Sequence, residues 1–357
     1  MPENPSSGSP ARPASPARRR QRIARRGTIL PSFLSLLLTV GLWWAGEYPG
    51  ERTWITTLFA YAPPLLLLVP TALAFSWSLF RRDFRALPIH LLSAAFVVPV
   101  GLGGRFPTRQ ETPTGPRFRL MTYNIEKGAK GIDRVAQEIR RSGADVVCLQ
   151  ETRGDGSLPD PIPLLESRLT GYRFVRAAEV AIASRYPLRN VRTVSIVEGN
   201  RRVALSAEVT IGDRIVTVMT VHPVTAATPE TVRRHRGSLP SYLHRTTAIR
   251  ARQFEKIEAA TRRIAGPLIL CGDFNTPPRG VLYRRLTADF EDAFTASGSG
   301  FGWTYPSGFP CLRIDHIFTR NGVRAVRTVV PAVTASDHRP VVSDLFLAPT
   351  SIPGTGR

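Results

Sequence analysis

Several carboxylates, amides and imidazoles in this chain stand where apolar runs stop. In LILCGDFNTPP (268–278) a buried-strand pattern ends in Gly272. Asp273 and Asn275 follow before Pro277 and Pro278 prevent any continuation. Burying such groups without partners costs about 1–3 kcal/mol or more each, so backbone amides, a metal or a substrate must satisfy them. The arrangement recurs. Asn124 closes the run 118–125, and Glu151 follows DVVCLQ (145–150). His222 follows 214–221, Asp315 lies inside RIDHIF (313–318), and Asp337 and His338 lie in ASDHRP (335–340). Side chains at the same ends of neighbouring strands converge in space. Gathered Asn, Glu and Asp oxygens suit a hard cation such as Mg²⁺, which takes few carboxylates, keeps several waters and often shares a substrate phosphate. Two histidines with no cysteine nearby fit zinc less well. Each residue alone has a plainer reading. Asp273 and Asn275 could form an Asx turn, His222 before Pro223 could be a loop histidine, Asp315 could pair with Arg313, and Asp337 could cap a turn. So many polar strand ends in one chain are what point to chemistry.

The elements that must position these groups can be read around them. The spacing of Ile132, Val135, Ala136 and Ile139 predicts a helix over 131–143, and a basic helix is expected over 241–264. VAIASR (180–185), RVALSAEVT (202–210), RIVTVMTV (214–221), the valine-rich run 322–330 and VVSDLFL (341–347) read as further strands. Strands interleaved with a few helices predict a layered α/β domain.

The order of these motifs resembles the endonuclease/exonuclease/phosphatase superfamily of deoxyribonuclease-like phosphodiesterases. The resemblance rests on Thr122-Tyr123-Asn124-Ile125, Leu149-Gln150-Glu151, the SRYP turn at 184–187, Val221-His222-Pro223, GDFN at 272–275, RIDHI at 313–317 and SDHRP at 336–340. It covers about 118–347. It implies an α/β fold, a four-layer α/β/β/α sandwich, with two sheets flanked by helices. It implies Glu151 and Asn124 as ligands of Mg²⁺, with Mn²⁺ as a substitute. Asp273 and Asn275 would orient the attacking water and contact the phosphate. His338, held by Asp315, would serve as base or charged phosphate clamp. Asp337 would support the metal or the histidine, and His222 would contact the phosphate or the leaving oxygen. Arg185 in the SRYP turn is expected to contact substrate. Elementary chemistry agrees. A phosphodiester is anionic and repels hydroxide, so a cation that neutralises its oxygens and a carboxylate-tethered imidazole near neutral pH are the groups its hydrolysis needs.

Outside this region the chain reads differently. The segment 1–27 is rich in Pro, Ser, Ala and Arg, has almost nothing to bury and is expected to be disordered, as is the tail 348–357. A membrane region over 28–104 holds three apolar stretches, 29–45, 54–80 and 87–102, and a linker over 105–117 leads to the domain at 118–347. The second stretch contains Pro63, Pro64 and Pro70. The third is short and carries His90. Seven arginines precede the first stretch, and Arg81, Arg82 and Arg85 lie between the second and third; the positive-inside rule puts both in the cytoplasm. Three crossings would deliver the catalytic domain outside the cytoplasm. If the third stretch does not cross, the domain stays inside.

Net charge is +21, of which +14 falls on residues 105–357. Such an excess suggests a polyanionic or anionic-surface partner. Only 3 of the 48 basic residues are lysine, however, a bias that genome composition also produces, so charge alone names no partner. Cys148 and Cys271 lie in apolar runs and read as core, and with Cys311 they form neither a zinc spacing nor a disulfide framework. No obligate protein partner is implied. Specificity is expected in two loops, the basic 227–245 and the aromatic 298–310, where Trp303 could stack on a base or dip into lipid. The expected activity is nuclease-like phosphodiester hydrolysis at the outer side of a membrane. The alternatives are a phospholipid-, sphingomyelin- or phosphoinositide-type phosphoesterase, and a catalytically silent, membrane-anchored binding module.

Overall fold

The computed structural model describes residues 27–106, 112–154, 156–197, 202–226 and 229–349. The expectations for 1–26, for 350–357 and for the linker and loop stretches 107–111 and 227–228 fall outside the described residues.

The chain divides into two compact units, one of 1–41 with 67–97, the other of 42–66 with 98–357. Among the described residues two helical stretches are long and apolar enough to cross a membrane: α1, Ile29–Glu47, and Phe84–Gly101. The second apolar stretch is not one straight helix. Its parts, α2 (Trp54–Tyr61) and the run Pro64–Phe80 that contains α3 (Val69–Phe80), bend by 94° at the break. Pro63 and Pro64 explain this. Neither has an N–H to give, and each restricts the residue before it. The short third stretch gains length because Phe84–Ala86 precedes α4 (Leu87–Phe96) and Val97–Gly101 extends it. His90 within it is held by two hydroxyls, with Nε2 3.2 Å from both Ser32 Oγ and Ser78 Oγ.

The second unit is built on two six-stranded sheets. One has the order β11-β12-β1-β2-β4-β3 and the other β5-β6-β7-β8-β10-β9. The strands are β1 (Arg117–Asn124), β2 (Val146–Gln150), β3 (Arg173–Ala177), β4 (Val180–Ser184), β5 (Arg189–Ser195), β6 (Val203–Ile211), β7 (Arg214–Val221), β8 (Leu268–Asp273), β9 (Glu291–Asp292), β10 (Asp315–Arg320), β11 (Val323–Val329) and β12 (Val341–Leu347). Each sheet has one parallel pair, β1 with β2 and β7 with β8. A parallel pair needs a crossover, and helices supply it: α5 (Ile132–Ser142) precedes β2, and α8 (Leu239–Arg262) precedes β8.

Why the strands read as unbroken apolar runs is now plain: both faces are covered. From β1, Leu120 points between the sheets with Cys148, Ile182, Leu205, Val218, Ile269 and Cys271. Met121 and Tyr123 point the other way, onto Val135 and Ile139 of α5 and onto Ile162 and Leu165 of α6 (Pro161–Arg168). On the far side of the second sheet Met219 and Leu270 meet Phe254 and Ile257 of α8 and Leu282 and Leu286 of α9 (Gly280–Asp289). The result is four layers, helix, sheet, sheet, helix, as the resemblance implied.

Arg313 does not pair with Asp315. Its guanidinium takes both oxygens of Asp292, at 3.0 and 2.8 Å, and both residues are buried. Asp292 also caps α10 (Ala293–Ser297) by accepting the Phe294 and Thr295 amides. Burial alone would raise its carboxyl, but Arg313 and His316 hold it well below the usual range. Asp292→Asn strands a buried guanidinium and is expected to cost about 3–5 kcal/mol in denaturant unfolding. Because the folded group titrates lower than the unfolded one, this stabilisation is full above about pH 4 and is lost on acidification. A loss under about 1 kcal/mol, with no change in acid sensitivity, contradicts the assignment.

Candidate active site

The topology explains why distant residues meet. The carboxyl ends of β1, β2, β7 and β8 lie at one edge of the two sheets. β10 runs antiparallel to β8 with Asp315 opposite Asp273, so its first residue lies beside the last of β8. β12 runs antiparallel to β1 with Val341 opposite Thr122, which brings the preceding loop, Ser336 to Pro340, to the same edge.

Asp273 is the centre. Its Oδ2 accepts Asn124 Nδ2 at 3.1 Å and lies 3.4 Å from His222 Nε2 and 3.7 Å from His338 Nε2. Its Oδ1 accepts the Asn275 amide at 2.8 Å, so the Asx turn exists and serves the site as well. Gly272 must be glycine. Its φ is +144°, and a Cβ there would lie 2.0 Å from the Val221 carbonyl of β7. Glu151 and Asn275 also hold left-handed backbone, with φ of 53° and 49°. Strain of that kind clusters at functional sites.

His338 Nδ1 lies 2.8 Å from Asp315 Oδ2, and the Tyr305 ring packs 4.8 Å away, centroid to centroid. Thr304 Oγ1 accepts the Ile314 amide at 3.2 Å and so fixes the entry to β10. Burial disfavours a charged imidazole, yet the carboxylates of Asp315 and Asp273 outweigh it and push His338 up to about 10. His338 therefore carries its proton at neutral pH. Asp273 is held below the ordinary carboxylate range: burial would raise it, and His338, His222 and the Asn275 amide overcome that.

On the other side, Asn124 donates to Glu151 Oε1 at 3.1 Å as well as to Asp273, while its Oδ1 accepts the Glu126 amide at 3.1 Å. Asn124 thus bridges two carboxylates through nitrogen, and its oxygen would first have to turn inward to ligate a cation. Asn275 turns its side chain to Pro223 O (3.1 Å) and accepts the Thr225 hydroxyl (3.1 Å). Asp337 precedes His338 in the loop before β12. Its carboxylate accepts from Ser336, and its amide donates to Glu126 Oε2 at 2.9 Å.

One expected contact is not at this edge. β4 pairs antiparallel with β2, placing Val180 opposite Gln150 and Ser184 opposite Val146. Arg185 therefore lies at the far end of the strand, its amide on Asp145 O and its guanidinium 5.1 Å over the Tyr172 ring. Trp303 stacks on Phe301 at 4.6 Å and lines a cleft with Trp43, Pro64, Leu102 and Pro277.

Residues that sequence reasoning missed include Glu179, whose Oε1 lies 3.4 Å from His222 Nδ1 and 2.9 Å from Arg202. It follows Ala178 in the left-handed turn from β3 to β4, opposite the Gln150–Glu151 strand end, and the Thr152 amide donates to its carbonyl. Ser336, which donates to Asn124 O at 2.8 Å, was also missed.

The donor set fits a hard divalent cation. Carboxylate oxygens of Asp273 and Asp315 lie within 4.8 Å of each other. Among the described residues Asp315 Oδ1 is buried with no hydrogen-bond partner. Glu151, beside them, contributes a carboxylate one-third exposed. Oxygen-rich, carboxylate-bearing and free of thiolate, this set suits Mg²⁺ or Mn²⁺.

Comparison with known proteins bears on the same stretch. A sequence model of the Endonuclease/Exonuclease/phosphatase family matches residues 121–338. The chain is 24% identical over 260 residues to the uncharacterized protein YbhP of Escherichia coli strain K12, covering 64% of this chain and 96% of that protein. Similar solved structures include an endonuclease/exonuclease/phosphatase family protein from Bacteroides thetaiotaomicron, 16% identical, with TM-score 0.52 over 66% of this chain and 99% of that one. Another is from Bacteroides vulgatus, 19% identical, with TM-score 0.51 over 65% and 99%. At these identities the likeness speaks for the fold.

Proposed function

Since the chain belongs to the endonuclease/exonuclease/phosphatase family, whose members are hydrolases of phosphoester bonds, we propose that it is a divalent-metal-dependent phosphodiester hydrolase, nuclease-like, anchored in a membrane and acting outside the cytoplasm. The observation that carries this reading is the meeting of Asp273 with His222, His338 and Asn124 at one edge of both sheets.

A cation held by Glu151, Asp273 and a turned Asn124 would neutralise charge on the scissile phosphate. The chain's own groups do the rest. Protonated His338, fixed by Asp315, binds an anionic phosphoryl oxygen and can give up its proton. Asp273 and Asn275 orient the water, and the Asp273 carboxylate accepts its proton as the water oxygen bonds phosphorus and the bond to the leaving oxygen breaks. His222, between Asp273 and Glu179, stands where a leaving oxygen would need a donor. Glu151→Gln is expected to raise the Mg²⁺ concentration for half-maximal rate about 10–100-fold. An unaltered metal titration removes Glu151 from the ligand set.

Two observations support the extracytoplasmic side. Seven arginines precede α1. The loop that follows α1 is bonded to the catalytic domain, with Glu51 accepting the Val281 amide at 2.7 Å and Arg284 donating to Tyr48 O at 3.1 Å. Loop and domain must then lie on one side of the membrane, so a crossing by Phe84–Gly101 has to be matched by a crossing of the run Pro64–Phe80. A reporter fused after Arg357 is expected to be active only outside the cytoplasm. Activity inside overturns this topology.

The substrate is tested with the full chain on bis(4-nitrophenyl) phosphate, DNA, RNA and labelled phospholipid vesicles, with Mg²⁺ or with chelator. Metal-dependent hydrolysis of a diester is expected, and no hydrolysis of any of them leaves a binding module.

A further inference from the structure

We propose that residues 47–62, which join α1 to the run Pro64–Phe80, are an integral part of the catalytic unit and act as a clamp that positions the strand end and loop carrying Asp273 and Asn275. This goes beyond the hydrolase reading, and the exchange measurement below needs no substrate.

The clamp is reciprocal. Glu51 is a carboxylate only 7% exposed. Its Oε2 accepts the amide of Val281, in the first turn of α9, at 2.7 Å. First-turn amides have no partner within their own helix, so Glu51 caps α9 from outside the domain's main sequence block. In return Arg279, buried immediately before α9, donates from Nε to Ala60 O at 2.6 Å and from its terminal nitrogen to Ala62 O. Those carbonyls end α2 and have no helical partner of their own. One segment caps the start of a helix, and the other caps an end.

Two glycines let the backbones meet. Gly50 and Gly280 both hold left-handed φ, +48° and +86°. A Cβ at Gly280 would lie 2.8 Å from Glu51 Oε2, and one at Gly50 would lie 2.9 Å from the Gly280 Cα. Arg284 adds bonds to the Glu47 carbonyl and to Tyr48 O, the latter at 3.1 Å.

The clamp reaches the chemistry through Tyr61. Its hydroxyl donates to Glu51 Oε1 at 3.3 Å, and its ring lies 5.4 Å from the guanidinium carbon of Arg250. Arg250 is fully buried and donates to Phe274 O at 3.2 Å, to Thr276 Oγ1 and to Val224 O. Phe274 and Thr276 bracket Asn275, and Val224 follows His222 by two residues. Among the described residues Arg250 has no carboxylate partner, so the Tyr61 ring face and Glu51 behind it complement its charge. Arg250, Tyr61 and Glu51 are therefore positioning residues. They touch no reacting atom but fix the backbone on which Asp273 and Asn275 sit.

The test uses the full-length chain in lipid nanodiscs, amide hydrogen exchange and turnover on bis(4-nitrophenyl) phosphate. Glu51→Ala is expected to speed exchange over 274–283 about tenfold or more, with β8 amides unchanged. Turnover should fall with KM within about twofold. Glu51→Gln keeps an acceptor and should show a smaller effect of the same pattern. Glu166→Ala, on an exposed face of α6, should match wild type. Wild-type exchange and turnover in Glu51→Ala overturn the proposal, as does a rise spread evenly over the whole domain. If Glu51→Ala does not fold, Glu51→Gln and Tyr61→Leu decide by the same local-against-uniform criterion.

Discussion

Replacing His338 with alanine is expected to lower phosphodiester turnover about 10²–10⁴-fold, the usual loss when a positioned proton-transfer group is removed. The geometry sets the expectation. The imidazole is buried, tethered to Asp315 at 2.8 Å and 3.7 Å from Asp273. Held near 10 by those carboxylates against the cost of burial, it meets substrate as a cation. Its loss leaves the buried carboxylates of Asp315 and Asp273 without their cation, so thermal stability should fall as well, and turnover is compared on the folded fraction. Turnover within about threefold of wild type would remove His338 from the mechanism. Asp315→Asn should fall in the same direction, since the ring would lose its anchor.

Asp273→Ala is expected to cost at least about 10³-fold, because one carboxylate serves several groups that act as a unit. Its oxygens hold Asn124 at 3.1 Å and the Asn275 amide at 2.8 Å, and they face both histidines. Removing it unties the two sheet edges from each other. The pattern distinguishes a catalytic role from a structural one. Activity should vanish while the folded domain, monitored by circular dichroism and its melting temperature, persists. A variant that keeps more than about a tenth of wild-type turnover contradicts the central place given to Asp273.

Most of this site could be read from the sequence because each sheet is covered on both faces. Strands so placed are apolar throughout, and a polar residue at their end stands out. Asn124, Glu151, His222, Asp273, Asp315 and His338 all announce themselves that way. The misplacement of Arg185 has a physical cause: strand direction is not written in composition. Arg185 follows a clear apolar strand, but β4 runs antiparallel to β2 and carries it to the far end. The same reversal brings Glu179, at the start of β4, to the chemical edge. That residue was invisible because it sits in a tight turn after β3, a strand of mixed polarity. Trp303 was legible as an aromatic in a specificity loop. Its stacking on Phe301 depends on how the loop packs. The break at Pro63 and Pro64 was visible as two prolines, and only the backbone shows that it bends the stretch by 94°. The clamp between Glu51 and α9 joins residues 230 positions apart, beyond any local pattern.

Whether the two sheet edges form one cation site is tested most directly by titrating the reconstituted full-length chain with Mn²⁺ and counting bound ions by electron paramagnetic resonance. At least one strongly held ion per chain is predicted, weakened in Glu151→Gln, lost in Asp273→Ala, and filling in step with the rise of hydrolysis. Undiminished binding in both variants, or full hydrolysis with no ion bound, would contradict it.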